Sequence, residues 1–527
     1  MVFSQLQPIF SRFPNNIAIA EGNERVITFS ALERAIYAAE EKLNACGFKM
    51  GHKLLIASPN CIDLISIFYA VARIGGIFIP VDPILSRKEF HIMVQETNCD
   101  IILLNEKMLS KYPDWAEQNK FEKKLSFKYD PFYVHYLSFE PEYIGIGNKL
   151  NSLFAKNSVK NEYEVKDLEF FHLYSSGSSG KPKGARLTQK NIFYQCKIWA
   201  DNMGVLPSDK FLCGLPISHS HGLTVTFPSL MSGASVYYVD AMHLVPPRVF
   251  DYIEQHGITL MSGVPYFFKV LLNYPQDIRP KIKTLRMAIC GSAPMAEILG
   301  HQFLEKFGLH IHQAFGISEI GIICLNHMDE KGSKYGSVGK VFKEFEYKIV
   351  DESNQICNVG ERGHFLVKSP GLALGYSNAN EEEKKMFVDG WFHTQDVVEE
   401  DEYGQIFVIG RKSNFINVNG NKVFPAEVEK VILGLEAVKD CAVMGHTDED
   451  AGELVRAFIV PSGIITVEDI RNHCLKHLTS YKIPRIIDIV EELPHSSTGK
   501  IMYNKIEKSN TTINQEMDVE DEDLLVY

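Results

Sequence analysis

The chain has 527 residues, 45% of them hydrophobic and 23% charged, which is too long for one compact core and too apolar for a disordered chain. A net charge of −12 argues against broad electrostatic binding to nucleic acid or to an anionic membrane. Ten scattered cysteines with no C-x-x-C pair argue against a zinc site, and with an N-terminus (MVFSQLQPIFSRFP) that lacks an apolar signal core they point to a reducing, cytoplasmic setting.

From residue 27 the pattern alternates between helix and strand. Ser30 and Glu33 have capping-box spacing ahead of an apolar-periodic helix, and Ser86 and Glu89 repeat that spacing. Between them KLLIAS reads as a buried strand, residues 62–74 as a helix and IFIPV as another strand, with DIILL closing the series. The run IDLISIFYAVARIGGIFIPV comes nearest to a membrane span, but Asp63, Arg73 and the Gly75-Gly76 pair interrupt it, so no transmembrane segment is expected. Residues 108–165 are polar, aromatic-rich and weakly periodic, and read as a long irregular connection between sheet halves.

Next comes LYSSGSSGKPKG, residues 173–184, with three glycines, four serines and two lysines. Such a loop exposes backbone N–H groups, hydroxyls and positive charge to a phosphate. It is not a Walker loop. Gly177 lies too close to Gly180 and Lys181, and Pro182 stands where the magnesium-binding hydroxyl residue belongs. Farther on, SVYYVD, TLRMAIC and HIHQAF read as strands with helices such as 296–307 between them. After GRKSNFINVNG, Pro425 opens a short helix, followed by strands VKDCAVMG and VRAFIV, a helix over 467–478 and strand RIIDIV. The expected fold is therefore α/β. A large N-terminal domain of βαβ-type, mostly parallel sheets spans 1–410, and a small mobile α+β domain spans 411–508 after a hinge at about 411–413. An acidic mobile tail covers 509–527.

Seven segments in this order resemble the acyl-adenylate-forming superfamily of acyl- and aryl-CoA ligases, luciferases and peptide-synthetase adenylation domains. They are YSSGSSGKPKG, PISHSHG, GSAP, QAFGISE, WFHTQD, GRKSNFINVNG and PHSSTGKI, and the resemblance runs from about residue 10 to residue 505. It implies ATP-dependent activation of a carboxylic acid to an acyl-adenylate, then transfer to the thiol of coenzyme A. A carboxylate would otherwise have to expel oxide, and attack on the α-phosphorus supplies a good leaving group.

The resemblance also implies roles for single residues. Ser175, Ser176, Gly177, Ser178, Ser179, Gly180 and Lys183 would cradle the phosphates, and Gly291, Ser292, Ala293, Phe315 and Gly316 would border the adenine. Phe315 either stacks on the base or serves as a core aromatic. Glu319 would hold Mg2+, Ser318 would touch the α-phosphate, Asp396 would take the ribose hydroxyls and Arg411 the ribose or phosphate. His219 would sit near the acyl carboxylate with His221 beside it, and Lys500 would bridge carboxylate and α-phosphate in the transition state. The sequence departs from the family at Gln395, where T-G-D is usual, and at Ser413 and Asn414 in the hinge. PISHSHGLTV holds no acid to pair with an α-amine, so the substrate is an acid without one, and SGVPYFF points to an uncharged aliphatic or aryl acid. Two other readings stay open: a ligase that loads a carrier protein's phosphopantetheine, and a nucleotide-binding protein without catalysis.

Overall fold

The computed structural model describes residues 2–22, 25–105, 108, 123–126, 131–136, 168–176, 182–239, 246–275, 277–412, 415–418, 421–448, 452–495, 501–503 and 505–506. Two large sheets and one smaller sheet build the N-terminal part. The first runs Lys340–Val341, Gly321–Leu325, Ile311–Ile317, Met287–Cys290, Leu260–Gly263, Lys210–Cys213, Ser235–Tyr238, Ile17–Glu21, Arg25–Thr28. Its six central strands are parallel, and the antiparallel strands lie toward its edges. The second runs Tyr376–Ser377, Pro182–Thr188, Glu169–Ser176, Ile77–Val81, Lys53–Ala57, Ile101–Asn105, Pro131–Tyr136, Lys123–Ser126, again with four parallel strands inside antiparallel edges.

Helix Ile62–Ile74 is buried on every side except at its last turn, so its apolar run serves a protein core and not a bilayer. Gly75 ends it in the left-handed region at φ 81°, and the chain turns directly into strand Ile77–Val81. Phe68 of this helix stacks on Phe227 of helix Ser220–Met231 with ring centroids 3.9 Å apart, and meets Phe78, Phe170 and Phe171 of the second sheet edge-on. No helix among the described residues is long and apolar enough to cross a membrane.

Three expectations change. The helix expected to be capped by Ser30 begins two residues earlier: Thr28 caps Phe29–Ala45 by accepting from Ala31 N at 3.3 Å. The stretch read as an irregular connection contributes strands Lys123–Ser126 and Pro131–Tyr136, which extend the second sheet from Ile101–Asn105, while most of its other residues lie outside the described ones. A third sheet is wholly antiparallel, built from Glu346–Val350, Arg362–Lys368, Phe387–Val388, Trp391–Glu400 and Ile406–Arg411. The capping box at Ser86 and Glu89 is present as read.

The smaller C-terminal domain has its own sheet, Asn421–Val423, Ile416–Val418, Gly452–Pro461, Val438–Asp448 and Ile486–Ile489, and helices Pro425–Ile432 and Val467–His477 close a separate apolar core. It rests on helix Pro265–Leu272 and its surroundings. Lys430 Nζ reaches Glu297 Oε1 at 2.6 Å, Arg362 lies 3.5 Å from Glu427, Lys269 donates to the carbonyl of Lys439, and Tyr266 stacks on His495 at 6.2 Å.

Candidate active site

Among the described residues, His219, His221, Ser292, Ser318 and Glu319 lie where the parallel strands of the first sheet end, the usual ligand face of such a sheet. Strand Lys210–Cys213 leads to the PISHSHG turn, Met287–Cys290 to Gly291 and Ser292, and Ile311–Ile317 to Ser318 and Glu319. The turn is fixed by Asn60, whose amide donates to Leu215 O at 2.7 Å while its Oδ1 accepts from Ile217 N at 2.9 Å. Gly222 is required there, because a Cβ would lie 2.2 Å from the carbonyl oxygen of Pro216.

His219 and His221 part company. His219 Nε2 pairs with Asp82 Oδ2 at 2.8 Å, just beyond strand Ile77–Val81. His221 is buried and reaches two neighbouring strand ends, with Nε2 2.5 Å from Ser262 Oγ and Nδ1 2.9 Å from Ser292 Oγ. Ser292 holds φ 69°, which turns its hydroxyl-bearing loop back toward that ring. Gly291 is tucked under His221, while Phe315 is half-buried, with its ring 6.3 Å from Phe365. His221 thus ties helix Ser220–Met231 to strand Leu260–Gly263 and to the turn after Met287–Cys290, a link that only the folded chain reveals.

The Gly/Ser loop closes a hairpin between Glu169–Ser176 and Pro182–Thr188, in which Ser175 faces Lys183. Gly177, Ser178, Ser179 and Gly180 lie outside the described residues, as do the side chains of Ser175 and Ser176. Lys183 Nζ pairs with Glu383 Oε1 at 2.9 Å and stands 6.0 Å from the centroid of the Tyr376 ring. The stem of the hairpin is clamped by Glu169, which accepts from Arg186 at 3.0 and 2.6 Å and meets His172 Nε2 at 2.5 Å. These donors hold the Glu169 carboxyl down at about 2, with His172 the largest influence.

Asp396 and Arg411 face each other across adjacent strands, Arg411 Nε donating to Asp396 Oδ1 at 3.1 Å. Asp396 is only 3% exposed, and burial raises its pKa against the opposing pull of Arg411. Its Oδ2 is buried and has no hydrogen-bond partner among the described residues. The charge of Asp396, with Glu319 contributing, in turn raises the pKa of the Arg411 guanidinium. Glu319 Oε1 accepts from the Tyr376 hydroxyl at 2.5 Å. Gln395 carries φ 66°, the left-handed backbone that suits the glycine usual at this place.

Lys500, Ser413 and Asn414 lie outside the described residues. The sequence reading missed Asp82, Tyr376 and Glu383, which come from segments distant along the chain.

With this geometry in hand, the model of the AMP-binding enzyme family matches residues 7–377, and that of the AMP-binding enzyme C-terminal domain matches residues 427–500. The chain belongs to the AMP-binding enzymes. As a member of that family it is an ATP-dependent, AMP-forming ligase. Among relatives of this AMP-binding enzyme, a 2-succinylbenzoate–CoA ligase of Oceanobacillus iheyensis is 27% identical over 506 residues, covering 94% of this chain and 97% of that one. The ATP-bound structure of MatB from Rhodopseudomonas palustris superposes with a TM-score of 0.81 at 21% identity, covering 96% of this chain and 98% of that one. O-succinylbenzoate coenzyme A synthetase (MenE) from Bacillus subtilis, in complex with ATP and magnesium ion, gives 0.77 at 23% identity over 95% of this chain and 99% of that one.

Proposed function

We propose that this AMP-binding enzyme activates a carboxylic acid lacking an α-amine as its acyl-adenylate and transfers the acyl group to the thiol of coenzyme A. The observation that carries the nucleotide part is Asp396, a buried carboxylate with one oxygen on Arg411 and the other without a donor. Such an acceptor is costly to keep dry, and a ribose hydroxyl would satisfy it.

The substrate carboxylate attacks the α-phosphorus and pyrophosphate departs; the thiol then attacks the acyl carbon and AMP departs. The loop over 175–180 and Lys183 hold the departing phosphates, Ser318 lies by the α-phosphate, and Gly291, Ser292, Ala293, Phe315 and Gly316 border the base. Glu319 fits a hard cation that keeps most of its oxygens from phosphate and water, since Oε1 is taken by Tyr376 and no described residue donates to Oε2. When bound, Mg2+ supplies neutralisation of phosphate charge. His219 and His221 border the acyl group.

Lys500 belongs to the small domain and bridges carboxylate and phosphate during adenylation. His495 and Ile501, at the ends of the segment that contains it, pair with each other, and His495 stacks on Tyr266 of helix Pro265–Leu272. This supports the docked orientation as the one used for adenylation, with rotation about 411–413 between domains 1–410 and 411–508 for thiol transfer, and 509–527 as a mobile tail. The 2-succinylbenzoate ligases among the relatives, and the polar His221–Ser262–Ser292 cluster, favour an aryl acid bearing a further polar group over a plain fatty acid. The enzyme works in the cytoplasm.

The test is a panel of carboxylic acids assayed for acid-dependent pyrophosphate release, then for AMP and thioester with free coenzyme A. Release for at least one acid and CoA-dependent thioester are expected. Release without CoA turnover would shift the acceptor to a carrier protein, and no release with any acid while ATP still binds would leave a nucleotide-binding protein.

A further inference from the structure

Tyr376 and Glu383 enter the site from one short segment, the first through Glu319 and the second through Lys183. Tyr376 is 7% exposed and lies on the strand that pairs with the phosphate hairpin, opposite Ala185. Its ring packs against Phe387 at 5.3 Å, and Phe387 packs against Phe392 at 4.8 Å, so the phenol is held by the core of the third sheet. The phenol hydroxyl lies 2.5 Å from Glu319 Oε1, and toward a carboxylate oxygen it acts as the donor. Glu319 follows its strand within a turn, where a flexible side chain has many rotamers to lose before it can bind anything. Its backbone carbonyl is also tied to this region, accepting from Ala373 N at 2.7 Å.

We propose that Tyr376 is a positioning residue for the metal carboxylate: its hydroxyl fixes the Glu319 rotamer by occupying Oε1 and leaves Oε2 for the magnesium that accompanies ATP. This rests on the assignment of Glu319 to the metal. The role differs from that of a catalytic residue, because the Tyr376 hydroxyl acts on the metal through Glu319, while its ring lies 6.0 Å from Lys183 Nζ. It predicts a defect in metal binding with the nucleotide pocket intact.

The experiment uses the full-length protein with Mn2+ as the probe, titrated by electron paramagnetic resonance in the presence of ATP. Metal-free AMP binding, measured by calorimetry, serves as the control for the pocket and for folding. Tyr376→Phe keeps the ring and removes one oxygen. It is expected to weaken Mn2+ in the ternary complex about tenfold, as loss of one hydrogen bond to a charged group should, with AMP affinity unchanged. Adding Tyr376→Phe to Glu319→Gln should weaken Mn2+ no further than Glu319→Gln alone. Unchanged Mn2+ affinity in Tyr376→Phe, with a loss in Glu319→Gln, would overturn the inference and leave the metal assignment standing. Parallel loss of AMP and Mn2+ affinity would also overturn it, since Tyr376 would then be a packing residue. Full Mn2+ affinity in Glu319→Gln would remove the metal assignment itself, and the inference with it.

Discussion

Asp396 gives up water for a single guanidinium, and the imbalance has two opposite consequences. Its buried and half-paired charge costs stability, and in the proposed ribose role the same oxygen would become an anchor for nucleotide. Asp396→Ala should therefore weaken AMP binding by about 1.5–3 kcal/mol, the worth of a hydrogen bond to a charged group. The unliganded protein should melt no lower than wild type. Calorimetric titration and thermal unfolding of the same variant check both halves, and unaltered AMP affinity would remove Asp396 from the ribose.

Glu429 poses a different residue-scale problem. Its Oε1 accepts from Tyr503 at 2.7 Å and from Val443 N at 2.8 Å, yet withdrawal from solvent dominates and pushes its pKa up to about 7. The folded state thus holds a proton that the unfolded state releases near its ordinary carboxylate value. This contribution favours folding below about 4.5 and is lost as pH rises toward 7. Denaturant unfolding of Glu429→Gln against wild type should show the variant gaining at pH 8 relative to pH 5.5. A difference that does not vary with pH would mean that Glu429 titrates normally.

Legibility at this scale follows chain distance. Asp396 and Arg411 could be singled out because each sits in a local motif, and Gln395 keeps the left-handed backbone, φ 66°, at a steric cost that glycine would not meet. Tyr376 and Glu383 carry no such local mark. Their partners Glu319 and Lys183 lie 57 and 200 positions away, so only the fold joins them.

At the scale of elements, the hairpin Glu169–Ser176 and Pro182–Thr188, in its proposed phosphate role, calls for a rigid stem. Glu169 supplies it by gathering Arg186 and His172 across the two strands. With its pKa held near 2, its contribution is present through neutral pH and fades only as pH falls below about 4.5. Glu169→Ala should raise the KM for ATP several-fold at pH 7 and speed amide exchange along 182–188, with AMP affinity little changed because AMP lacks the β- and γ-phosphates. Slow exchange in the variant would show that the ladder of strand bonds is stem enough.

Parallel strands with apolar runs, such as KLLIA and IFIPV, announced themselves by composition and length. The third sheet did not, because its strands are mostly amphipathic and interrupted, with bulges between His364 and Leu366 and between Val397 and Val398. Thr28 outranked Ser30 as a cap because capping depends on which backbone N–H lies free, a matter of two residues that spacing alone does not resolve.

For the whole molecule, the assignment of Lys500 to one orientation of the small domain separates the two half-reactions. Lys500→Ala should slow adenylation by about 10²–10³, as loss of a preorganised charge does. Supplied acyl-adenylate and coenzyme A should still give thioester at close to the wild-type rate. Single-turnover assays of each half decide this, and an equal fall in both would show that Lys500 does not alternate.

The contacts that seat the small domain carry a further consequence. Lys430–Glu297 and Arg362–Glu427 are partly exposed ion pairs, and with the Tyr266–His495 stack they help hold the domain in place. Pairs of this kind fade as the screening length shrinks from about 10 Å at 0.1 M salt to about 3 Å at 1 M. The domain's seat is then an ionic-strength gauge: added salt should lift it, slow the step that needs it seated and spare the step that follows. The ratio of stranded acyl-adenylate to finished thioester becomes a reading of the medium, and Lys430→Gln should shift that reading at low salt to what wild type shows at high salt.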